Sequence, residues 1–281
     1  MTGLSLHIGL NEVDPAHYDG WVGTLTACEF DANDMETLAQ SRGFETRKLL
    51  TAEATSDAIL SAIEEAAGSL GPGDIYFVTY SGHGGQVPDR NAEEEPDRSD
   101  ETWVAFDRQI VDDELFALWG KFQPGVRIMV LSDSCHSGSV TRDIGDDVPT
   151  SVATRESAAK ASPPYRAMPR DVMIATYRAH EDMYDDIQTS VATAPKAEID
   201  ATVLLISGCQ DDQLSLDGFS NGLFTENLRA VWDDGAWRGG HSAFHEAIRA
   251  RMPADQQPNY TRVGAANDDF ENQDPFTVIE T

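Results

Sequence analysis

Cysteine is scarce in this chain: Cys28, Cys135 and Cys209 are widely spaced and include no CxxC pair. An odd set so spread favours neither a disulfide framework nor a cysteine zinc site, and at least one thiol must be free. Long apolar runs are missing as well, since none approaches the roughly 18 residues that a helix needs to cross a bilayer. The opening stretch, MTGLSLHIGL, has neither the charged region nor the small-residue cleavage site of a signal peptide. Positive charge is in short supply too: 20 Lys and Arg stand against 49 Asp and Glu, for a net charge of −29. That balance repels phosphate backbones and anionic membranes. A soluble cytoplasmic protein that binds neither nucleic acid nor membrane is therefore expected. The acidic excess suits cationic substrates or metal ions, but a saline habitat or simple solubility would produce it equally.

What is present reads as one core. The chain has 281 residues, 40% of them hydrophobic and 8% aromatic, and nothing in it resembles a linker between independent units. Residues 4–10 read as a strand, 31–42 as a helix with Met35 and Leu38 at helical spacing, and 44–50 as a second strand. A helix at 55–69, capped by Thr55 or Ser56, carries Ala58, Ile59, Ala62, Ile63 and Ala66 on one face and leads into the strand IYFVTY. This βαβαβ order is the grammar of a parallel sheet. TWVAF follows, then a helix near 112–121 and the unbroken apolar run VRIMVLS, which belongs in the middle of a sheet covered on both faces. Residues 141–200, rich in Ala, Ser, Thr, Pro and charge, read as a long insertion with limited helix, the segment expected to move most. Regularity resumes with ATVLLISGC, helices near 222–233 and 241–251, and a last strand at 276–280. The expected fold is a single α/β domain over 1–281, with about six mostly parallel strands flanked by helices on both faces.

Two segments carry reactive side chains: IYFVTYSGHGGQ sets His83 just after one strand, and RIMVLSDSCHSGS sets Cys135 just after another. Ligands of open parallel sheets sit beyond the carboxyl ends of the strands, so both segments deliver to one edge. Thiolate attack on an amide needs a base near sulfur and a donor for the departing amine, and one imidazole can supply both. Neighbouring glycines let a substrate backbone approach, and the N–H groups of Gly84 and Cys135 are placed to stabilise an oxyanion. His136 competes with His83 as base, although chain neighbours usually point to different sides. SGHGGQ at 81–86 with DSCHSG at 133–138 resembles the catalytic pair of the caspase-like clan, specifically metacaspases and their bacterial relatives, the orthocaspases. CEFDANDM, IVDDEL and SGCQDDQ with GLFT extend the resemblance over most of residues 4–280, though not across 87–99 or 141–200.

The resemblance implies a caspase-like fold and a cysteine endopeptidase with Cys135 as nucleophile and His83 as its partner. It also implies that Asp31 and Asp133, with Ser81, bind the substrate residue before the cut bond (P1) as Arg or Lys. Two carboxylates match a guanidinium and repel an aspartate. A helix N-cap for Asp31, a loop-orienting role for Asp133 and a backbone-bonded Ser81 are the competing readings. Cys28 and Cys209 are expected to pack near the pocket without chemistry, and Asp211 and Asp212 are weaker candidates for the cleft. Hard oxygen ligands at Asp100, Asp112 and Asp113 suggest calcium, as in several metacaspases. The family's fourth acid falls on Arg142, so the set needs Asp143 instead. No organic cofactor is expected, and the partners are protein or peptide substrates met as a monomer. The cations Arg142, Arg155, Lys160, Arg166, Arg170, Arg178 and Lys196 lie in or beside the insertion, which makes self-processing an expectation for an enzyme that cuts after Arg or Lys. A catalytically silent caspase-like module and a peptidase with a non-basic P1 residue remain the alternatives.

Overall fold

The computed structural model describes residues 1–89, 99–134, 165–193, 198–209, 215–218 and 220–278. The chain runs β1 (Gly3–Gly9), α1 (Cys28–Ser41), β2 (Glu45–Leu50), α2 (Ser56–Ser69), β3 (Ile75–Ser81), β4 (Gly84–Pro88), β5 (Ser99–Val104) and β6 (Gln109–Val111). It continues through α3 (Asp112–Trp119), β7 (Arg127–Asp133), α4 (Arg170–Ala179), α5 (Glu181–Thr193), β8 (Thr202–Ser207), α6 (Leu223–Trp232), α7 (His241–Arg249), β9 (Asn259–Gly264) and α8 (Asp268–Asn272).

Six strands form one sheet in the order β2-β1-β3-β7-β8-β9, parallel except for the last pairing. The central strands β3 and β7, IYFVTYS and RIMVLSD, are buried at every position. Such unbroken runs suit a strand covered on both faces. On one face α2 and α3 supply Ile59, Ile63, Leu115 and Trp119 to the core. On the other, α1, α6 and α7 supply Met35, Leu38, Leu228, Trp232, Phe244 and Ile248. Helices therefore flank the sheet on both sides, as expected. Thr55 begins α2 by accepting from the Ala58 N–H at 3.2 Å, the hydroxyl cap that its sequence announces.

Three features differ from expectation. Residues 276–278 are not a strand, while 279 and 280 lie outside the described residues; Phe276 is apolar because it fills the space between Phe77, Trp232 and Phe244. The sixth strand is instead Asn259–Gly264, a half-exposed edge. A second, antiparallel sheet β4-β5-β6 lies outside the main one. Within the presumed insertion, α4 and α5 pack Met173, Tyr177 and Tyr184 onto that small sheet through Val104, Val87 and Val111, so its later part is helical and anchored.

Parallel strands point their carboxyl ends one way. Ser81 at the end of β3 lies in register with Asp133 at the end of β7, which brings the two sequence segments to one edge.

Candidate active site

At that edge a single guanidinium is enclosed by carboxylates. Arg166 is fully buried, and its Nη2 donates to Asp31 Oδ2 at 2.7 Å and to Asp217 Oδ1 at 3.0 Å. Its Nη1 lies 2.9 Å from Asp133 Oδ2 and donates to the Asp133 carbonyl at 3.2 Å. Gly222 forms the wall: a Cβ there would sit 2.5–2.6 Å from the guanidinium atoms. The position opens α6 as its N-cap, so the absent side chain is what lets the helix start against the cation.

The acids are held by other donors as well. Asp31 accepts from the Ser81 hydroxyl at 2.7 Å, from Asn221 Nδ2 at 2.9 Å and from the Gly222 N–H at 3.1 Å. Asp133 accepts from the hydroxyls of Ser215 and Thr225, both at 2.8 Å. Asp217 accepts from the Thr26 N–H at 2.8 Å and the Ala27 N–H at 3.3 Å, just where α1 begins. Lone pairs that do not face the guanidinium are thus satisfied by donors of the surrounding chain. Burial pushes the Asp31 carboxyl up to about 6, against the pull of Arg166 and with help from Asp133.

His83 follows directly from β3. Its carbonyl accepts from the Tyr80 hydroxyl at 2.6 Å, and Tyr80 stacks on Trp103 at 4.6 Å, which fixes the loop against the core. The ring packs on Trp21 at 4.7 Å, and Nε2 lies 2.9 Å from the Gly23 carbonyl. A carbonyl only accepts, so the proton sits on Nε2 and Nδ1 carries the lone pair. Nδ1 is buried with no hydrogen-bond partner among the described residues. Burial lowers the imidazole to about 4, against the Gly23 carbonyl, so the ring is neutral near pH 7.

The backbone around the guanidinium is also ordered. The Arg166 N–H donates to the Ser215 carbonyl at 3.0 Å, its carbonyl accepts from the Gly84 N–H at 3.0 Å, and the Met168 N–H donates to the Gly84 carbonyl at 2.8 Å.

Of the sequence candidates, the fold gathers Asp31, Ser81, His83, Gly84 and Asp133 at one edge. Asp31 is not the N-cap of α1, a position held by Ala27; it lies in the first turn, with its side chain in the pocket. Ser81 bonds a carboxylate rather than backbone. Cys28 and Cys209 are buried, and burial pushes the Cys28 thiol well up, which keeps it inert. Cys135, His136, Asp143, Asp211 and Asp212 lie outside the described residues. Asp100 is buried on β5, while Asp112 and Asp113 open α3, where Asp112 accepts from the Asp113 N–H at 3.0 Å. Among the described residues no three acids or histidines are grouped so as to hold a metal ion, and Asp143, the fourth member of the expected calcium set, lies outside them. Sequence reasoning missed Asp217, Asn221, Gly222 and Thr225. GLFT gave a signal for two of them; Asp217 sits in a stretch with no distinguishing pattern.

The geometry agrees with what the chain is similar to. Residues 13–268 match the family described as Caspase domain, peptidase C14. Metacaspase-1 of Emericella nidulans is 32% identical over 242 residues, covering 76% of this chain and 57% of that protein. Metacaspase-1A of Aspergillus oryzae is 32% identical over 253 residues, covering 80% of this chain and 58% of that protein. The chain therefore spans little more than half the length of these relatives. The crystal structure of protein GSU0716 from Geobacter sulfurreducens superposes with a TM-score of 0.87 at 48% identity, covering 100% of both chains. Caspase-1 from Spodoptera frugiperda superposes with a TM-score of 0.54 at 11% identity, over 92% of this chain and 85% of that one, and shares the fold. With His83 and Asp133 brought to adjacent strand ends and residues 13–268 matched by the caspase domain, the chain belongs to the peptidase C14 family and is a metacaspase-like member of it.

Proposed function

We propose that the chain is a cysteine endopeptidase that cuts proteins after Arg or Lys, with Cys135 as nucleophile and His83 as base and then acid. One observation carries the specificity: three buried carboxylates, each braced by its own donors, converge on one guanidinium. An Asp side chain in that place would meet only like charge. A lysine ammonium supplies one positive centre for the same acids, while arginine bonds several of them at once.

The neutral His83, held by Gly23 with Nδ1 free of other described partners, suits removal of the thiol proton and its later transfer to the leaving nitrogen. The Gly84 N–H, already bonded to a carbonyl oxygen, suits stabilisation of the oxyanion, with the Cys135 N–H as the second donor. Calcium activation through Asp100, Asp112, Asp113 and Asp143 belongs to the same proposal as a separate arm, as does a monomeric, cytoplasmic enzyme.

Fluorogenic peptides with Arg, Lys or Asp at P1 test the reading, with Cys135→Ala as control and with added calcium or chelator. Cleavage after Arg or Lys that disappears in the variant is expected. Cleavage after Asp would overturn the pocket, and no cleavage of any peptide would move the chain to a silent caspase-like module.

A further inference from the structure

We infer that Trp21 is a positioning residue for His83: its indole holds the imidazole against the Gly23 carbonyl and stabilises the positive charge that the ring carries between taking up a proton and passing it on. The inference rests on the peptidase reading above and deepens it by naming the group that supports the charged base.

A histidine that acts first as base and then as acid is an imidazolium in between, and in a place with little water that charge needs support. Among the described residues no carboxylate is hydrogen-bonded to His83. Nε2 meets the neutral Gly23 carbonyl at 2.9 Å, and Nδ1 has no described partner. The charged groups that face the ring are Arg166 and Asp217; they are bonded to each other at 3.0 Å and act on it in opposite directions, Arg166 the more strongly. β3 and β5 reach only the His83 carbonyl, through the Tyr80 hydroxyl at 2.6 Å and the Val104 N–H at 3.0 Å. Against the ring itself stands the indole of Trp21, with 4.7 Å between centroids and a tilt of 57°. An aromatic ring attracts a cation within about 6 Å of its centroid, and more strongly where water is excluded. His83 is buried, so the attraction acts at close to its full strength.

The loop before α1 is built to deliver that indole. Asp19 and Gly20 turn the chain at φ of 51° and 83°, the Trp21 N–H donates to the Tyr18 carbonyl at 2.9 Å, and the Val13 N–H closes the loop on the Val22 carbonyl at 2.9 Å. Tyr18 is fully buried, with its hydroxyl on the Ala105 carbonyl at 2.7 Å and its ring edge-on to the indole at 6.1 Å. Gly23 supplies the last constraint. Its φ of 59° lies in the left-handed region, and a Cβ there would sit 2.9 Å from the indole. A glycine at this position is what lets one turn present both a carbonyl to Nε2 and an aromatic ring to the same imidazole.

Fluorinated tryptophans test this without disturbing the fold. Incorporated at position 21 with increasing fluorine content, they keep the shape of the indole and weaken the negative potential of its face step by step. With an Arg-P1 fluorogenic peptide, kcat is expected to fall along the series, to about 2- to 30-fold below wild type for the most fluorinated ring, while KM stays the same. Trp21→Phe should lie between wild type and Trp21→Leu, which keeps an apolar side chain without a π face. A second measurement needs no turnover: the His83 imidazole followed by NMR in the Cys135→Ala chain from pH 7 to 4.5. Burial already lowers this ring to about 4, and a weaker face lowers it further, so the fluorinated chain should hold less protonated His83 at pH 4.5 than the native one. A kcat that is the same for every ring at position 21, or protonation that does not follow the fluorine content, overturns this inference and leaves the peptidase reading intact. A loss in KM rather than kcat places Trp21 on the substrate and overturns it as well. A chain that hydrolyses no peptide, whatever the ring, overturns the peptidase reading and this inference with it.

Discussion

Asp31 and Asp133 do their work through charge in a place with little water. Each is at most 3% exposed, and each faces the guanidinium at 2.7–2.9 Å. Removing one partner of a buried, hydrogen-bonded charge pair costs about 2–5 kcal/mol, or roughly 30-fold and upward in an equilibrium constant. Asp133→Asn should therefore lower kcat/KM for Arg-P1 peptides at least 30-fold, chiefly through KM. An unchanged KM in steady-state kinetics would remove Asp133 from the pocket. Asp31 adds a pH dependence. Its carboxyl is raised to about 6 while Arg166 is pulling it down, so without a cation it protonates more readily still. Protonation removes the charge that a basic P1 residue needs. Binding of Arg peptides should accordingly weaken as pH falls toward about 6 and level off below it, where the occupied pocket takes up the proton as well, with the loss in KM. His83, held near 4, leaves this limb to the pocket. A KM–pH profile that is flat from 7 to 5 would contradict the assignment.

Elements carry the other half of the argument. The C-terminal ends of β3 and β7 are adjacent because each strand reads as an unbroken apolar run, so the placing of His83, Ser81 and Asp133 was legible from hydrophobicity alone. β9 was not legible, because NYTRVG is a largely polar, half-exposed edge strand in which Tyr260 and Val263 alone reach the core. FTVIE misled for the opposite reason: Phe276 is apolar to fill a three-ring gap in the core, at a φ of 57° that no strand adopts. The part played by Asp217 was hidden because it depends on a loop folding back to the start of α1, where its partner Thr26 lies 191 residues earlier in the chain. Arg166 was only one of several cations in its segment; burial, rather than sequence, singles it out. Gly222 is the element-scale test. Its φ of −61° admits alanine without strain, but a methyl group there would occupy the space of the guanidinium. Gly222→Ala should keep the fold by circular dichroism and lose most hydrolysis after Arg. Wild-type kinetics in that variant would show that the wall of the pocket lies elsewhere.

At the scale of the whole molecule, buried histidines set the response to acid. Burial holds His7 at about 3, and His83 and His241 at about 4, below the ordinary 6.5. The unfolded chain therefore binds more protons between about 4 and 6.5, and stability falls as pH drops through that window. Asp31, raised from 3.8 to about 6, works the other way over part of the same range, since its folded form takes up the proton first. Three groups outweigh one, and a net loss on the order of a few kcal/mol is expected between pH 7 and 4.5. The net charge of −29 also becomes less repulsive in acid, so the measurement belongs in about 1 M salt, where surface charge is screened. Urea unfolding should then show a lower midpoint at pH 4.5 than at pH 7; a higher one would mean that these rings are not buried in their neutral form.

The central claim is a Cys135 thiolate beside a pocket for a basic side chain, and covalent labelling reads both together. Peptidyl chloromethyl ketones with Arg or Asp at P1 alkylate a nucleophilic sulfur only when the side chain seats, and intact mass with peptide mapping locates the adduct. The account predicts one adduct, on Cys135, from the arginyl reagent, with none from the aspartyl reagent and none in Cys135→Ala. An adduct formed preferentially by the aspartyl reagent, or on Cys28 or Cys209 in place of Cys135, would contradict it.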